Sequence, residues 1–83
     1  MKLLYFAWVR EQIGKDQEEI ILPATVLTVI DLLAHLQSLG DGYAAALEKL
    51  NVIRVAIDQE HVSHETSLNE ATEIALFPPM TGG

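Results

Sequence analysis

Residues 73–83 read EIALFPPMTGG, from Glu73 to Gly83. The first five form a short apolar run with β-favouring residues, bounded by proline. Pro78 and Pro79 fix φ near −65° and lack the N–H that a sheet ladder needs, so the strand must stop at Phe77 and an extended arm must begin. The four residues after Pro79 can reach at most about 13–14 Å. Gly82 and Gly83 have no Cβ, so the tip can enter a channel too narrow for any other residue. The functional group at that tip is the α-carboxylate of Gly83. A free carboxylate is a poor electrophile. Activated as an acyl-adenylate it can be attacked by sulfide, giving a thiocarboxylate, or by an amine, giving an amide. The plain alternative is a frayed, inert terminus.

Working back from the arm, HVSHETSLNEAT (residues 61–72) is rich in turn formers, with a short extended piece and Leu68 as core anchor. VIRVAIDQ alternates Ile53, Val55 and Ile57 against Arg54, Ala56 and Asp58, which predicts a strand with one buried face. A short helix is expected near Tyr43–Leu50. Thr25 is positioned to cap one long helix whose inward face carries Val26, Val29, Ile30, Leu33 and Leu36, with Gly40 closing it. EEIILP predicts a second strand from Glu18 to Pro23, and Gly14 marks a break before it. MKLLYFAWVRE opens with an unbroken apolar run from Leu3 to Val9, read as a strand covered on both faces. Every connection is short. The expected fold is α+β: one domain over residues 1–79, a mixed sheet packed on one long helix, with residues 80–83 as a projecting, flexible tail.

Composition narrows the chemistry. Among 83 residues there is no cysteine, which excludes disulfides, thiolate metal sites and a cysteine nucleophile. A net charge of −7 argues against nucleic acid and anionic membranes as partners. No apolar stretch reaches membrane-spanning length, and the opening run lacks a signal-peptide cleavage site, so a cytoplasmic location is expected. His61 and His64 lack a third ligand nearby in sequence, and read as exposed turn histidines. His35 reads as solvated on the outer side of the helix. The carboxylates, Glu18 and Glu19 included, show no paired, buried context. No nucleophile–base pair and no phosphate loop is visible, so catalysis is expected to reside in a partner.

LFPPMTGG resembles the terminal signature of the small sulfur-carrier subunits of molybdopterin synthase, the MoaD-like family. KLLYFAWVREQIG is similar to that family's opening strand and Arg-Glu turn, PATVLTVIDLL to its helix start, and VAIDQEHVS to its middle strand. The resemblance implies a β-grasp, ubiquitin-like fold. It implies that Gly83 is adenylated by an ATP-using, E1-like enzyme and converted to a thiocarboxylate. The tail, Pro78 to Gly83, then enters the large synthase subunit and donates sulfur to a cyclic pyranopterin monophosphate, in a heterotetramer. No cofactor is implied for the carrier itself. In such a fold the first and last strands are neighbours. Leu4, Phe6, Ala75 and Phe77 would then share an apolar outer face beside the root of the tail, the surface on which the large subunit docks. Arg10 and His61 match family positions near that surface, and Met80 and Thr81 would line the inserted arm. A lysine-conjugated modifier, or a sulfur carrier for thiazole or tRNA thiolation, would share the fold and the Gly-Gly end. One departure stands out: the family commonly has Asp-Gly-Asp before the last strand, where this chain has Glu70-Ala71-Thr72. If that turn needs positive φ at its centre, Ala71 is strained by about 1–2 kcal/mol.

Overall fold

The strand expected at Glu73–Phe77, here β5, forms over those five residues and occupies the middle of a five-stranded sheet. The computed structural model describes residues 1–79, so the tail expected at residues 80–83 lies outside them. The other elements are β1 (Lys2–Tyr5), α1 (Ala7–Ile13), β2 (Gln17–Glu19), α2 (Val29–Gln37), α3 (Asp41–Ala46), β3 (Arg54–Ile57) and β4 (Glu60–Val62), with a single 3-10 turn at Leu50–Val52. The sheet order is β2-β1-β5-β3-β4. β1 and β5 are parallel, with Leu3 opposite Ile74 and Tyr5 opposite Leu76. The β1–β2, β3–β5 and β3–β4 pairs are antiparallel. This is the mixed α+β architecture that the element order implies.

One face of the sheet carries the core. Leu3 and Tyr5 of β1, Val55 of β3, and Ile74 and Leu76 of β5 are buried there against Val29, Leu32, Leu33 and Leu36 of α2, Val9 of α1, and Ala46 and Leu47. Leu68 closes it from the 61–72 segment, as its isolated position in a polar stretch suggests.

Three local readings change. First, the run Leu3–Val9 is not one strand. β1 ends at Tyr5, and Ala7 adopts φ 53, which turns the chain into α1. Val9 becomes a buried helix residue and Trp8 faces a groove on the helical side. Gly14 ends α1 at φ 92, donating its N–H to the Arg10 carbonyl at 2.8 Å. Second, the helix is not one long element capped by Thr25. Thr25 lies in a turn closed by Val26 N–H to Pro23 O at 3.0 Å, and β2 has already stopped at Glu19. The cap is Thr28, in a capping box: Thr28 Oγ1 accepts from Asp31 N–H at 3.3 Å, and Asp31 Oδ2 accepts from Thr28 N–H at 3.1 Å. The backbone N–H groups of Leu27 and then Thr28, each donating to Asp31 Oδ2 at 3.1 Å, hold the Asp31 carboxyl below its usual range. α2 then runs only nine residues to Gln37, with Ser38 as its C-cap. Gly40 precedes α3 rather than closing α2. α3 packs so tightly on α1 that a Cβ on Gly42 would sit 2.6 Å from the Gln12 carbonyl oxygen. Third, Ala71 is not the strained residue of its turn. The positive φ falls on Glu70, at 58°, while Ala71 packs on the core.

Asp58 locks the far end of the sheet. It opens the two-residue β3–β4 hairpin with Gln59, both at positive φ as a type I′ turn requires. Its carboxylate accepts from Thr72 Oγ1 at 2.6 Å and from Glu73 N–H at 2.9 Å. The Thr72 hydroxyl is the main reason its pKa is depressed.

Glu18 departs from expectation more sharply. Its Oε2 accepts from both Tyr5 Oη and Tyr43 Oη at 2.6 Å, and its Oε1 lies 3.0 Å from Lys15 Nζ. One carboxylate therefore ties β1, β2 and α3 together. Burial pushes its pKa up, but the hydrogen bonds from Tyr43, Tyr5 and Lys15 outweigh it and leave the pKa below the ordinary value. Burial first, and Glu18 second, push the Tyr5 phenol up.

Two stability outcomes follow from these contacts. Thr28→Ala should destabilise the domain by about 1 kcal/mol, or about 4–8 °C in Tm for a domain of this size, whereas Thr25→Ala should leave Tm essentially unchanged; thermal denaturation followed by circular dichroism distinguishes the two caps. A lowered folded-state pKa means that Glu18 contributes fully above its unfolded value of 4.5 and loses that contribution as pH falls through the depressed value. The Tm gap between the parent and Glu18→Gln should therefore be widest near neutrality and close in acid. A gap that persists unchanged well below pH 4 would assign the loss to packing.

Candidate functional site

Alternation along a central strand decides what surrounds the root of the tail. Ile74 and Leu76 point into the core, so Ala75 and Phe77 point to the opposite face. The register extends that face sideways. Leu4 pairs with Ala75, Ala75 with Ala56, and Ala56 with His61. Phe77 pairs with Arg54. Phe6 stays extended after β1, donates its N–H to the Leu76 carbonyl at 3.1 Å, and is 45% exposed. The sheet thus assembles Leu4, Phe6, Ala75 and Phe77 on one outer face, as their spacing in two separate strands predicts. Ala56 joins them.

His61 is exposed and stacks on Phe77, with ring centroids 5.1 Å apart and planes inclined at 43°. It is thereby fixed on the patch rather than free in a turn. His64 is not an exposed turn residue. It is half-buried, and its Nε2 lies 2.8 Å from the Ile53 carbonyl oxygen, pinning the 61–72 segment to the start of β3. His35 is also half-buried rather than fully solvated, close to the C-terminus of α2. Arg10 is exposed on α1 and makes no ion pair among the described residues. Among the described residues no three His, Asp or Glu side chains cluster to hold a metal ion.

Pro78 and Pro79 are half-buried where the chain leaves the sheet. Pro79 lines a groove on each side of that exit. One, of about 380 Å³, opens on the sheet face between Arg54, His61, Ser63 and Phe77. The other, of about 480 Å³, lies on the helical side between Trp8, Gln12, Ala45, Glu48, Lys49 and Val52. The helical groove escapes sequence reasoning because it depends on α1, which the apolar run Leu3–Val9 conceals. Met80, Thr81, Gly82 and Gly83 lie outside the described residues. The described body presents an apolar ledge and two grooves at the base of the arm, and the cluster of phenols and carboxylate around Glu18 is satisfied within itself. The arrangement suits docking rather than acid–base chemistry.

The likenesses to known proteins run the length of the chain. Molybdopterin synthase sulfur carrier subunits are 40% identical over 83 residues in Escherichia coli, covering 100% of this chain and 99% of that protein, and 41% identical over 83 residues in Haemophilus influenzae, with the same coverage. Among solved structures, the crystal structure of SAMP1 from Haloferax volcanii matches with a TM-score of 0.72 at 27% identity, covering 100% of this chain and 98% of that one. A second crystal structure, of H. volcanii small archaeal modifier protein 1, matches at 0.71 and 26%, covering 96% and 97%. The fold is therefore the ubiquitin-like β-grasp, with a shorter α2 than expected, the short helix expected near Tyr43 present as α3, and α1 in addition. With residues 3–83 matching a single family description that takes in the core, the outer face and the glycine pair alike, the chain belongs to the ThiS family.

Proposed function

We propose that this chain is the sulfur carrier subunit of a molybdopterin synthase, acting in molybdenum cofactor biosynthesis through the α-carboxylate of Gly83. The observation that carries this reading is full-length similarity to the two bacterial carrier subunits, in a family match that runs through residue 83. In this reading an E1-like partner uses ATP to convert the carboxylate to an acyl-adenylate, with loss of pyrophosphate. Sulfide then attacks the acyl carbon, displaces AMP and leaves a thiocarboxylate. The large synthase subunit covers Phe6, Phe77 and their neighbours, receives the arm from Pro78 to Gly83, and holds the cyclic pyranopterin monophosphate that accepts the sulfur. Gly82 supplies the bare backbone that a narrow channel admits. Arg10 and His61 contact the partner. The complex is a cytoplasmic heterotetramer, and the carrier binds no cofactor of its own.

The body contributes position, not catalysis. Tyr5, Glu18 and Tyr43 are engaged with one another across the sheet edge, and the net charge of −7 is unsuited to holding a phosphate-bearing pterin. A modifier conjugated to lysines is the second reading, favoured by the likeness to small archaeal modifier protein 1. The fate of Gly83 separates the two. Intact-mass measurement of the protein from its own host shows sulfur in place of one terminal oxygen for a carrier, or an isopeptide-linked adduct for a modifier.

Deleting Gly83 should leave Tm unchanged, because the core is complete by Leu76, and should abolish thiocarboxylate formation and molybdopterin synthesis. A deleted protein that still supports synthesis would sink the carrier assignment. Phe77→Asp places a charge on the outer face at the root of the tail. It should weaken the complex with the large subunit by about thirtyfold or more, while Tm falls far less than for Leu33→Ala, whose fully buried site should lose about 2–5 kcal/mol. Binding titration and thermal denaturation of the same two variants make the comparison.

A further inference from the structure

The outer face is chemically divided along β5. Its far end is acidic and already engaged: Glu73 pairs with Lys2 at 3.9 Å, and Asp58 is taken up by Thr72 and the Glu73 N–H. Its tail end carries the Arg54 guanidinium. Arg54 lies directly opposite Phe77 in the register, and His61 stacks on the same ring. Arg54 is exposed and makes no ion pair or side-chain hydrogen bond among the described residues, whose ion pairs use Met1, Lys2 and Lys15 instead. No acidic side chain lines the groove that Arg54 shares with His61, Ser63, Phe77 and Pro79. In a chain with 12 acidic and five Lys or Arg residues, this is a local inversion of charge.

That inversion constrains whatever covers the face. A partner seated on Phe77 and Pro79 must also cover Arg54. Desolvating a lone guanidinium under an apolar lid is costly, and the cost is recovered only by a carboxylate with good geometry and further hydrogen bonds. The aromatic ring of Phe77 beside Arg54 and the net charge of −7 disfavour a polyanion, whereas a single acid set among apolar residues is what a protein surface can offer. We propose that Arg54, flanked by His61, is a carboxylate-recognition element: the protein that docks on Phe77 presents an Asp or Glu side chain to the Arg54 guanidinium, and this pair selects the partner. The inference rests on the docking reading above and adds to it the identity of the facing group.

The test is the affinity of the chain for the large synthase subunit of the same organism, measured by calorimetry at about 0.05 M and about 1 M salt. Arg54→Gln should weaken the complex about fivefold or more at low salt, and the deficit should close at high salt. Arg54→Lys should keep most of the salt dependence, and Phe77→Asp should bind weakly at both salt concentrations. Arg54 is exposed, so Arg54→Gln should retain the parent Tm, which controls for folding. If Arg54→Gln binds like the parent at low salt while Phe77→Asp does not, the face is the interface but the carboxylate proposal is overturned. If Phe77→Asp also binds like the parent, the docking reading falls and the proposal falls with it.

Discussion

The parallel pairing of β1 with β5 is the constraint on which the rest of the molecule depends. It joins the opposite ends of the chain at the centre of the sheet, Leu3 beside Ile74 and Tyr5 beside Leu76. Two parallel neighbours cannot be linked by a tight turn, so the intervening chain must cross one face of the sheet and cover it. The apolar faces of α1, α2 and α3 do that. The other face is left bare of helices and carries Leu4, Ala75 and Phe77 in one patch. This half-buried ledge is thus a by-product of the same topology that buries the core. Nearly all the chain must be present before its central pair can form, a non-local arrangement of the kind that slows folding.

Electrostatics reinforces this division. The polar cluster at Glu18 fastens β2 and α3 to β1 on the core side, and Asp58 fastens the β3–β4 hairpin to the start of β5. Both acids are spent on structure, at places away from the tail exit. On the sheet side of that exit no acid lines the groove between Arg54, His61, Phe77 and Pro79, which suits a surface whose task is to be covered.

The strands were legible where the hydrophobic pattern has one interpretation. EIALF alternates cleanly and is stopped by two prolines, and its bounds agree with β5. VIRVAIDQ likewise fixes which side chains of β3 face inward. Leu3–Val9 misleads because an unbroken apolar run fits both a buried strand and a strand followed by an amphipathic turn of helix; the decision is made by one residue, Ala7, whose left-handed φ carries no side-chain signal. The true start of α2 was written in the sequence as Thr28-x-x-Asp31, but Thr25 offers a similar hydroxyl before an apolar run. Glu18 looks like one of many surface acids, since Tyr43, which anchors it, is distant in sequence. The outer face could be assembled once the two terminal strands were taken as neighbours. Arg54 could not be singled out, because its significance lies in sitting opposite Phe77.

The position of β5 also sets how the domain answers to force. A pull on Pro79 along the strand axis acts on a strand held by backbone hydrogen bonds to β1 on one side and to β3 on the other. Both ladders are loaded in shear, and their bonds share the tension instead of breaking in succession. An edge strand under the same pull could peel away from its single neighbour one bond at a time. The arm is therefore mounted on the central strand of the sheet, where traction on it is passed to a neighbour on either side.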